Sequence, residues 1–185
     1  VYDGAGILPD YKTDDIKYSN VLITLINRHH IFNYVNAYML QHPQQQLKSA
    51  DFNLSDSDYS DFVSYMKGKD YKYTTQSDFA MDELKEDAIN DKCFESIQAE
   101  YDALLAKMNA NKKDDLNKFK PEIKQFIEEE IASRYEFQKG RIVMALRYDH
   151  DVAEAKKLLA DPKKMSMILT TIEKPTKPFN ANKRF

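Results

Sequence analysis

The chain has 185 residues, of which 42% are hydrophobic, so it is long enough to bury a core of its own. Its 27 basic and 30 acidic residues give a formal net charge of -3, which excludes the overall positive field typical of nucleic-acid-binding proteins. The single cysteine, Cys93, excludes an intramolecular disulfide, and no apolar run approaches the roughly 20 residues of a transmembrane helix. We therefore expect neither a nucleic-acid partner nor a transmembrane segment.

The first ten residues contain two of the four glycines, Gly4 and Gly6, followed by Pro9. Glycine permits positive φ, and proline disfavours a helical conformation at the residue before it, so this stretch predicts a tight turn and a short extended segment. It lacks the further glycines or the Gly-Lys-Ser/Thr of phosphate-binding loops. No initiator Met or signal-peptide pattern opens the chain, and we expect it to be a fragment of a longer protein.

Residues 2–10, Tyr-Asp-Gly-Ala-Gly-Ile-Leu-Pro-Asp, resemble the Gly-Ile-x-Pro-Asp signature that closes the catalytic domain of carboxyl-terminal processing (tail-specific) serine peptidases. Tyr11 stands where this family usually has Val. Residues 128–141 resemble the helical region that follows the peptidase domain in family members of the Bacteroidetes type. In the family a serine nucleophile and a lysine general base lie upstream of the signature, usually with a PDZ domain earlier still. Neither catalytic segment is present in this chain.

We expect the chain to divide into three parts. By the resemblance, residues 1–16 are the remnant of the peptidase domain and residues 17–170 a helical C-terminal domain. The third part, residues 171–185, is expected from its own sequence, with two prolines among polar residues, to be a flexible tail. Because residues 1–16 would lack their partner strands, we expect them to be mobile or to borrow contacts from another copy.

The resemblance also implies a function. The chain is then the non-catalytic helical region of a serine-type carboxyl-terminal processing endopeptidase, which packs on the upstream peptidase domain and assists substrate access or assembly. The resemblance further implies that the parent enzyme acts on proteins or peptides and is periplasmic or associated with the cell envelope. Homo-oligomerisation is left open. The alternative is a free-standing helical protein-interaction module with the hairpin of residues 97–131 as its partner surface. A small enzyme of unrelated type is a third, weaker alternative.

Few glycines and prolines, with many Lys, Glu, Ala and Leu residues, predict an all-α fold. Apolar residues spaced three and four apart predict one long helix from Ser19 to about Leu40, followed by a loop over residues 44–53. Ser55 and Asp58 form an acidic version of the capping box, which predicts a short helix that ends before Gly68.

Two further helical segments are predicted in the middle of the chain. One runs from near Thr75 to Ile89, with Phe79, Leu84 and Ala88 facing inward. Apolar residues at 97, 101, 104 and 108, and again at 119, 123 and 126, predict a long helical hairpin with its turn between residues 109 and 115.

The last third of the chain also predicts helices. A long one spans Glu122 to about Tyr148, and close packing against a neighbour would explain Gly140, which costs about 1 kcal/mol relative to Ala in a helix. Pro121 fits either the first turn or a kink. Another helix begins at Asp149 or Asp151, and a last one at Asp161-Pro162. The predicted fold is an all-α multi-helix bundle with a long helical hairpin and a short extended N-terminal segment.

We predict no catalytic, cofactor-binding or metal-binding residue, and no cofactor. No serine lies in the glycine-rich turn that exposes a nucleophile, and Ser55, Ser57 and Ser60 are typical of capping and surface positions. Adjacent residues on a helix point about 100° apart, so His29 and His30 have poor geometry for sharing one metal ion.

Two groups of charged residues remain. Residues 128–130 are three consecutive glutamates, which spread around a helix and predict a solvated face. Arg134 and Arg141 are seven residues apart, which places them on nearly the same helical face. We expect salt bridges within the core or at an interface, with binding of a partner's carboxylate as the alternative. In either case the pair sets position and is not catalytic.

Overall fold

The computed structural model describes residues 9–43 and 48–170, and within them it confirms the all-α prediction because no strand is present. Residues 1–8 of the predicted extended segment and residues 171–185 of the predicted tail lie outside this range. The helices are α1 Asn20–Asn27, α2 His30–Gln41, α3 Asp56–Tyr65, α4 Gln76–Asn90, α5 Phe94–Lys112, α6 Asp115–Lys118, α7 Lys120–Tyr148, α8 His150–Leu159 and α9 Pro162–Thr170.

The predicted single helix from Ser19 to Leu40 is wrong, because the chain breaks it into α1 and α2. His29 adopts a left-handed conformation with φ 56°, which no α-helix accommodates. The Ser19 hydroxyl caps α1 by accepting the Leu22 N–H. The apolar spacing was correct for each half, but nothing in it signals a left-handed residue between them.

One hydrophobic core forms from α1, α2, α3, α6 and the first half of α7. Tyr59 and Phe62 of α3 are almost fully buried, and the Tyr34 ring meets the Phe62 ring edge to face at 5.1 Å between centroids. The core also contains Val21, Leu22, Leu25, Ile31, Tyr34, Val35, Tyr38, Leu54, Met66, Leu116, Ile123, Ile127 and Ile131.

The predicted capping box of α3 is confirmed. Ser55 Oγ accepts the Asp58 N–H at 3.0 Å, and the Asp58 carboxylate accepts the Ser55 N–H at 3.2 Å. Gly68 follows the helix with φ 78°, a conformation that glycine adopts without strain. Both features are local in sequence, which is why the sequence predicted them.

A long helical hairpin is present, but α4 and α5 form it, whereas the prediction paired α5 with the following helix. Thr75 and Asp78 cap α4 with a second capping box. At the far end of α5, Lys112 Nζ lies 2.6 Å from Asp78 Oδ2, which fixes the two helices antiparallel. The predicted turn starts too early, because α5 continues to Lys112.

The inward positions predicted for α4 are wrong for two residues. Phe79 is 57% exposed and Leu84 is 47% exposed, whereas Met81 and Ala88 are buried. Met81 and Ala88 are seven residues apart and define the covered face, and Phe79 lies about 200° around the helix from Met81. Only the assignment of Ala88 is confirmed.

The predicted continuous helix from Glu122 to Tyr148 is also wrong, because α7 is broken in its middle. Glu136 (φ -120°, ψ 17°) and Phe137 (φ 52°, ψ -142°) are non-helical and separate a first arm, residues 120–135, from a second arm, residues 138–148. Pro121 lies in the first turn, where its missing N–H costs no helical hydrogen bond.

Residues 17–147 form one compact unit, and residues 9–16 with 148–170 form a second. In the second unit, Asp149 caps α8 by accepting the Val152 N–H, which settles the choice between Asp149 and Asp151. Asp161 Oδ1 accepts the N–H groups of Lys163 and Lys164 at the start of α9, as predicted. The division into a peptidase remnant and a helical domain stays a prediction.

Candidate binding groove

The unit of residues 17–147 contains a groove of about 440 Å³ at the break between α1 and α2 and along α7. This volume is within the range of pockets that bind small ligands or side chains. Its lining combines apolar and charged groups: Ile26, His29, Ile31, Phe32, Phe126, Glu129, Glu130, Arg134 and Arg141.

The left-handed residue His29 builds one side of the groove. It ends α1 and turns the chain into α2, so that Ile26 from α1 and Phe32 from α2 both line the cavity. Ile26 is 39% exposed and Phe32 is 47% exposed, although both are large and apolar. The groove therefore keeps an apolar wall open to solvent.

The break in α7 builds the other side. Eleven residues separate Glu130 from Arg141, which in a straight helix is a rise of about 16 Å. Here Arg141 Nη2 lies 2.5 Å from Glu130 Oε2, because the second arm folds back on the first. Arg141 thus forms a salt bridge, as expected, but with a half-exposed side chain and not within the core, and its cause is the break and not the seven-residue spacing.

Gly140 makes this close approach possible. A Cβ on Gly140 would lie 2.5 Å from the Ala132 carbonyl oxygen and 2.8 Å from Ser49 Oγ, so any side chain would clash. The predicted explanation of this glycine, close packing against a neighbour, is confirmed. The neighbours are the first arm of its own helix and the segment before α3.

Glu130 binds both arginines of the groove. Arg134 Nη1 lies 2.8 Å from Glu130 Oε1, on the carboxylate oxygen that Arg141 does not use. The Arg134 guanidinium also stacks 4.7 Å from the centroid of the Phe32 ring. Two guanidinium groups thus share one carboxylate, and one of them lies on the apolar wall.

The predicted solvated face of residues 128–130 is wrong. Glu128 is fully buried and accepts the Leu54 N–H at 2.7 Å, with Lys124 Nζ at 3.9 Å. Burial raises the pKa of Glu129, while hydrogen bonding from Gln125 and the charge of Arg141 oppose that shift. The partner of Glu128 is 74 residues away in the chain, and a run of three glutamates contains no signal for that contact.

The remaining candidates serve structural roles. Ser55 caps α3, and Ser60 Oγ donates to the Asp56 carbonyl oxygen. His29 lines the groove, whereas the His30 ring bonds the Asp70 carbonyl oxygen at 2.9 Å. Over residues 9–43 and 48–170, no group of three His, Cys, Asp or Glu side chains is placed to hold a metal ion.

The same described ranges contain no helix with the length and apolar character required to cross a membrane. Residues 21–159 match a family described as the C-terminal helical domain of probable PDZ-proteases. No curated protein and no solved structure gives a significant match. The family match covers well over half of the 185 residues, and the chain therefore belongs to the C-terminal helical domain family of probable PDZ-proteases.

Proposed function

We propose that the chain is the non-catalytic helical region of a serine-type carboxyl-terminal processing endopeptidase, in which it packs on the catalytic domain and assists substrate access or assembly. The family match over residues 21–159 is the observation that carries the proposal. The Gly-Ile-x-Pro-Asp resemblance of residues 2–10 supports the finer assignment to the tail-specific type. The same assignment implies that the parent enzyme is periplasmic or associated with the cell envelope.

The α4–α5 hairpin is the surface that we assign to the catalytic domain. Tyr101 is the only residue of the 19 in α5 that is buried. Helices in proteins owe most of their stability to packing of an apolar face, so a helix of this length with one buried residue is incompletely packed in the isolated chain. Large apolar side chains remain exposed on both helices, namely Phe79, Leu84, Ile89 and Leu104.

The alternative function is a free-standing protein-interaction module with residues 97–131 as its partner surface. The two proposals differ in what the gene encodes upstream of Val1. A serine in a small-residue context followed by a lysine in a glycine-flanked segment would support the peptidase; an upstream stop codon would support the module.

Activity measurements test the same proposal in the protein. Residues 1–185 alone should hydrolyse no peptide, and detectable hydrolysis would contradict the proposal. In the full-length parent, Leu104→Glu should detach the hairpin and make it more accessible to an added protease. Leu40→Glu is a matched control, because Leu40 is 83% exposed on α2 and lies outside the hairpin. Equal effects of the two substitutions would rule out the hairpin as the packing surface.

A further inference from the structure

The groove of residues 17–147 combines a half-exposed arginine with an apolar wall. Arg141 is 46% exposed, and Nη2 makes its ion pair with Glu130 and a 3.4 Å hydrogen bond to Ser133 Oγ. Within residues 9–43 and 48–170, its Nε and Nη1 have no hydrogen-bond acceptor in the protein. Arginine carries five donors in a fixed fork, so this side chain retains donors for a bound anion.

Glu130 shows which anion these guanidinium groups accept. Its carboxylate bridges Arg134 at 2.8 Å and Arg141 at 2.5 Å. Pairs of this kind are short and charge-assisted, and arginine forms them with planar carboxylates in particular. A second carboxylate on the unused donors of Arg141 would repeat chemistry that is already present in the groove.

The apolar wall of the groove favours a ligand that has a large apolar group in addition to a carboxylate. Ile26 and Phe32 are exposed beside the arginines, and Arg134 stacks on the Phe32 ring. A small inorganic anion would leave this wall uncovered, whereas a large apolar side chain would cover it and displace its water. The cavity of about 440 Å³ has room for a few side chains but not for a folded domain.

We propose that this groove binds an extended peptide segment in which an acidic side chain lies beside a large apolar side chain. The carboxylate binds the free donors of Arg141, and the apolar side chain packs on Ile26 and Phe32. Two carboxylates of the lining oppose such a ligand: Glu130, which is paired with both Arg134 and Arg141, and Glu129, whose amide partner is Gln125 at 2.9 Å. The inference depends on the groove alone and stands apart from the function proposed for the hairpin.

Fluorescence anisotropy with the 185-residue chain tests the proposal. The probe is a labelled peptide, Gly-Phe-Asp-Phe-Gly, amidated at its C-terminus so that the Asp carboxylate is its only negative group. The comparison peptides replace Asp by Asn, or both Phe by Ala. Each replacement should weaken binding on the order of tenfold, and equal binding of all three peptides, or of none, would overturn the proposal.

Two substitutions with opposite expected effects on peptide affinity locate the site. Arg141→Gln should weaken binding of the Asp peptide by roughly ten- to a hundredfold, because it removes a charge-assisted contact. Glu129→Gln should strengthen binding roughly two- to fivefold, because it removes a like charge. Lys139→Gln, an exposed cation of the same arm outside the groove lining, should change binding less than twofold.

The Glu129→Gln result remains informative if Arg141→Gln also disturbs the fold. Weaker or unchanged binding by the Glu129 variant would overturn the proposal. So would a loss of affinity in Lys139→Gln equal to that in Arg141→Gln, because a general effect of positive charge would then explain the binding.

Discussion

Two helical regions of the molecule are packed very differently. One is the core, formed by α1, α2, α3, α6 and the first arm of α7, and the other is the hairpin of α4 and α5. In the core, Ile123, Ile127 and Ile131 line one face of α7 with no exposure at all. The hairpin buries Met81, Ala88 and Tyr101 across two helices of 15 and 19 residues. Its further stabilisation comes from polar contacts at the ends, such as the capping box of Thr75 and the Lys112–Asp78 ion pair.

This difference in packing means that the two regions contribute unequally to the free energy of folding. Burial of apolar surface dominates folding free energy, so the core holds most of the stability of the unit of residues 17–147. A hairpin with few buried side chains opens at low free-energy cost and leaves apolar surface exposed, as on Phe79, Leu84 and Leu104. The four predictions below test this contrast and the packing within α7, from the largest expected effect to the smallest.

The largest effect comes from removing the same atoms from an isoleucine in each region. Ile127→Ala should lower the free energy of unfolding by about 2–5 kcal/mol, because it leaves a cavity in the core. Ile89→Ala in the hairpin should lower it by less than about 1 kcal/mol, since Ile89 is 53% exposed. Urea denaturation measures both, and equal losses would refute the contrast.

Gly140→Ala tests the close contact between the two arms of α7. Alanine favours a helix over glycine by about 1 kcal/mol, but its Cβ would lie 2.5 Å from the Ala132 carbonyl oxygen. Overpacking should prevail and lower the free energy of unfolding by about 1–3 kcal/mol. The same urea titration measures it, and a more stable Gly140→Ala variant would show that the arms separate easily.

The two capping boxes provide a matched pair. Ser55→Ala and Thr75→Ala each remove a side-chain cap, which costs about 1 kcal/mol for its helix. In α3 the loss should appear in global unfolding by urea, because α3 belongs to the core. In α4 it should appear mainly as faster amide exchange of the hairpin. Global destabilisation of equal size by both substitutions would mean that the hairpin and core unfold as one.

The smallest effect is a dependence on pH. Burial raises the pKa of Asp78, but hydrogen bonds from Lys112 and Thr75 outweigh it and hold the pKa below its ordinary value of 3.8. A carboxylate with a lowered pKa stabilises the folded form above the ordinary value, and that contribution is lost as the pH falls through the lowered pKa.

Acidification below about pH 4 should therefore loosen the end of the hairpin where Lys112 meets Asp78. NMR shifts of the Tyr73 ring, whose centroid lies 5.3 Å from Lys112 Nζ, would report the loosening between pH 5 and pH 2. Asp78→Asn should remove this transition, and Asp82→Asn should keep it. If the Asp78→Asn variant showed the same pH transition, a group other than Asp78 would be responsible and the prediction would be wrong.

Features that depend on neighbouring residues in the sequence were predictable. The capping box of Ser55 and Asp58 and the helix start at Asp161-Pro162 follow from short-range geometry. A glycine within a helical pattern indicated close packing at position 140, but the neighbours that require it come from the break in α7 and from Ser49. The helical spacing also predicted a long hairpin. It did not predict which helices pair, because an apolar stripe at helical spacing does not identify the helix that covers it.

The groove was not predictable, because it depends on two backbone breaks and on distant partners. His29 and Phe137 adopt positive φ values of 56° and 52°, and neither is a glycine. The stacking of Arg134 on Phe32 joins residues that are 102 positions apart in the chain. Tertiary packing sets these features, and local helical periodicity contains no signal for them.

Native-state hydrogen exchange of the 185-residue chain tests the contrast most directly. Amides of residues 123–131 in α7 should exchange only through global unfolding, with a free energy equal to that from urea denaturation. Amides of residues 97–108 in α5 should exchange through a separate opening of lower free energy. A single common free energy for both segments would contradict the account, because the hairpin would then be as firmly packed as the core.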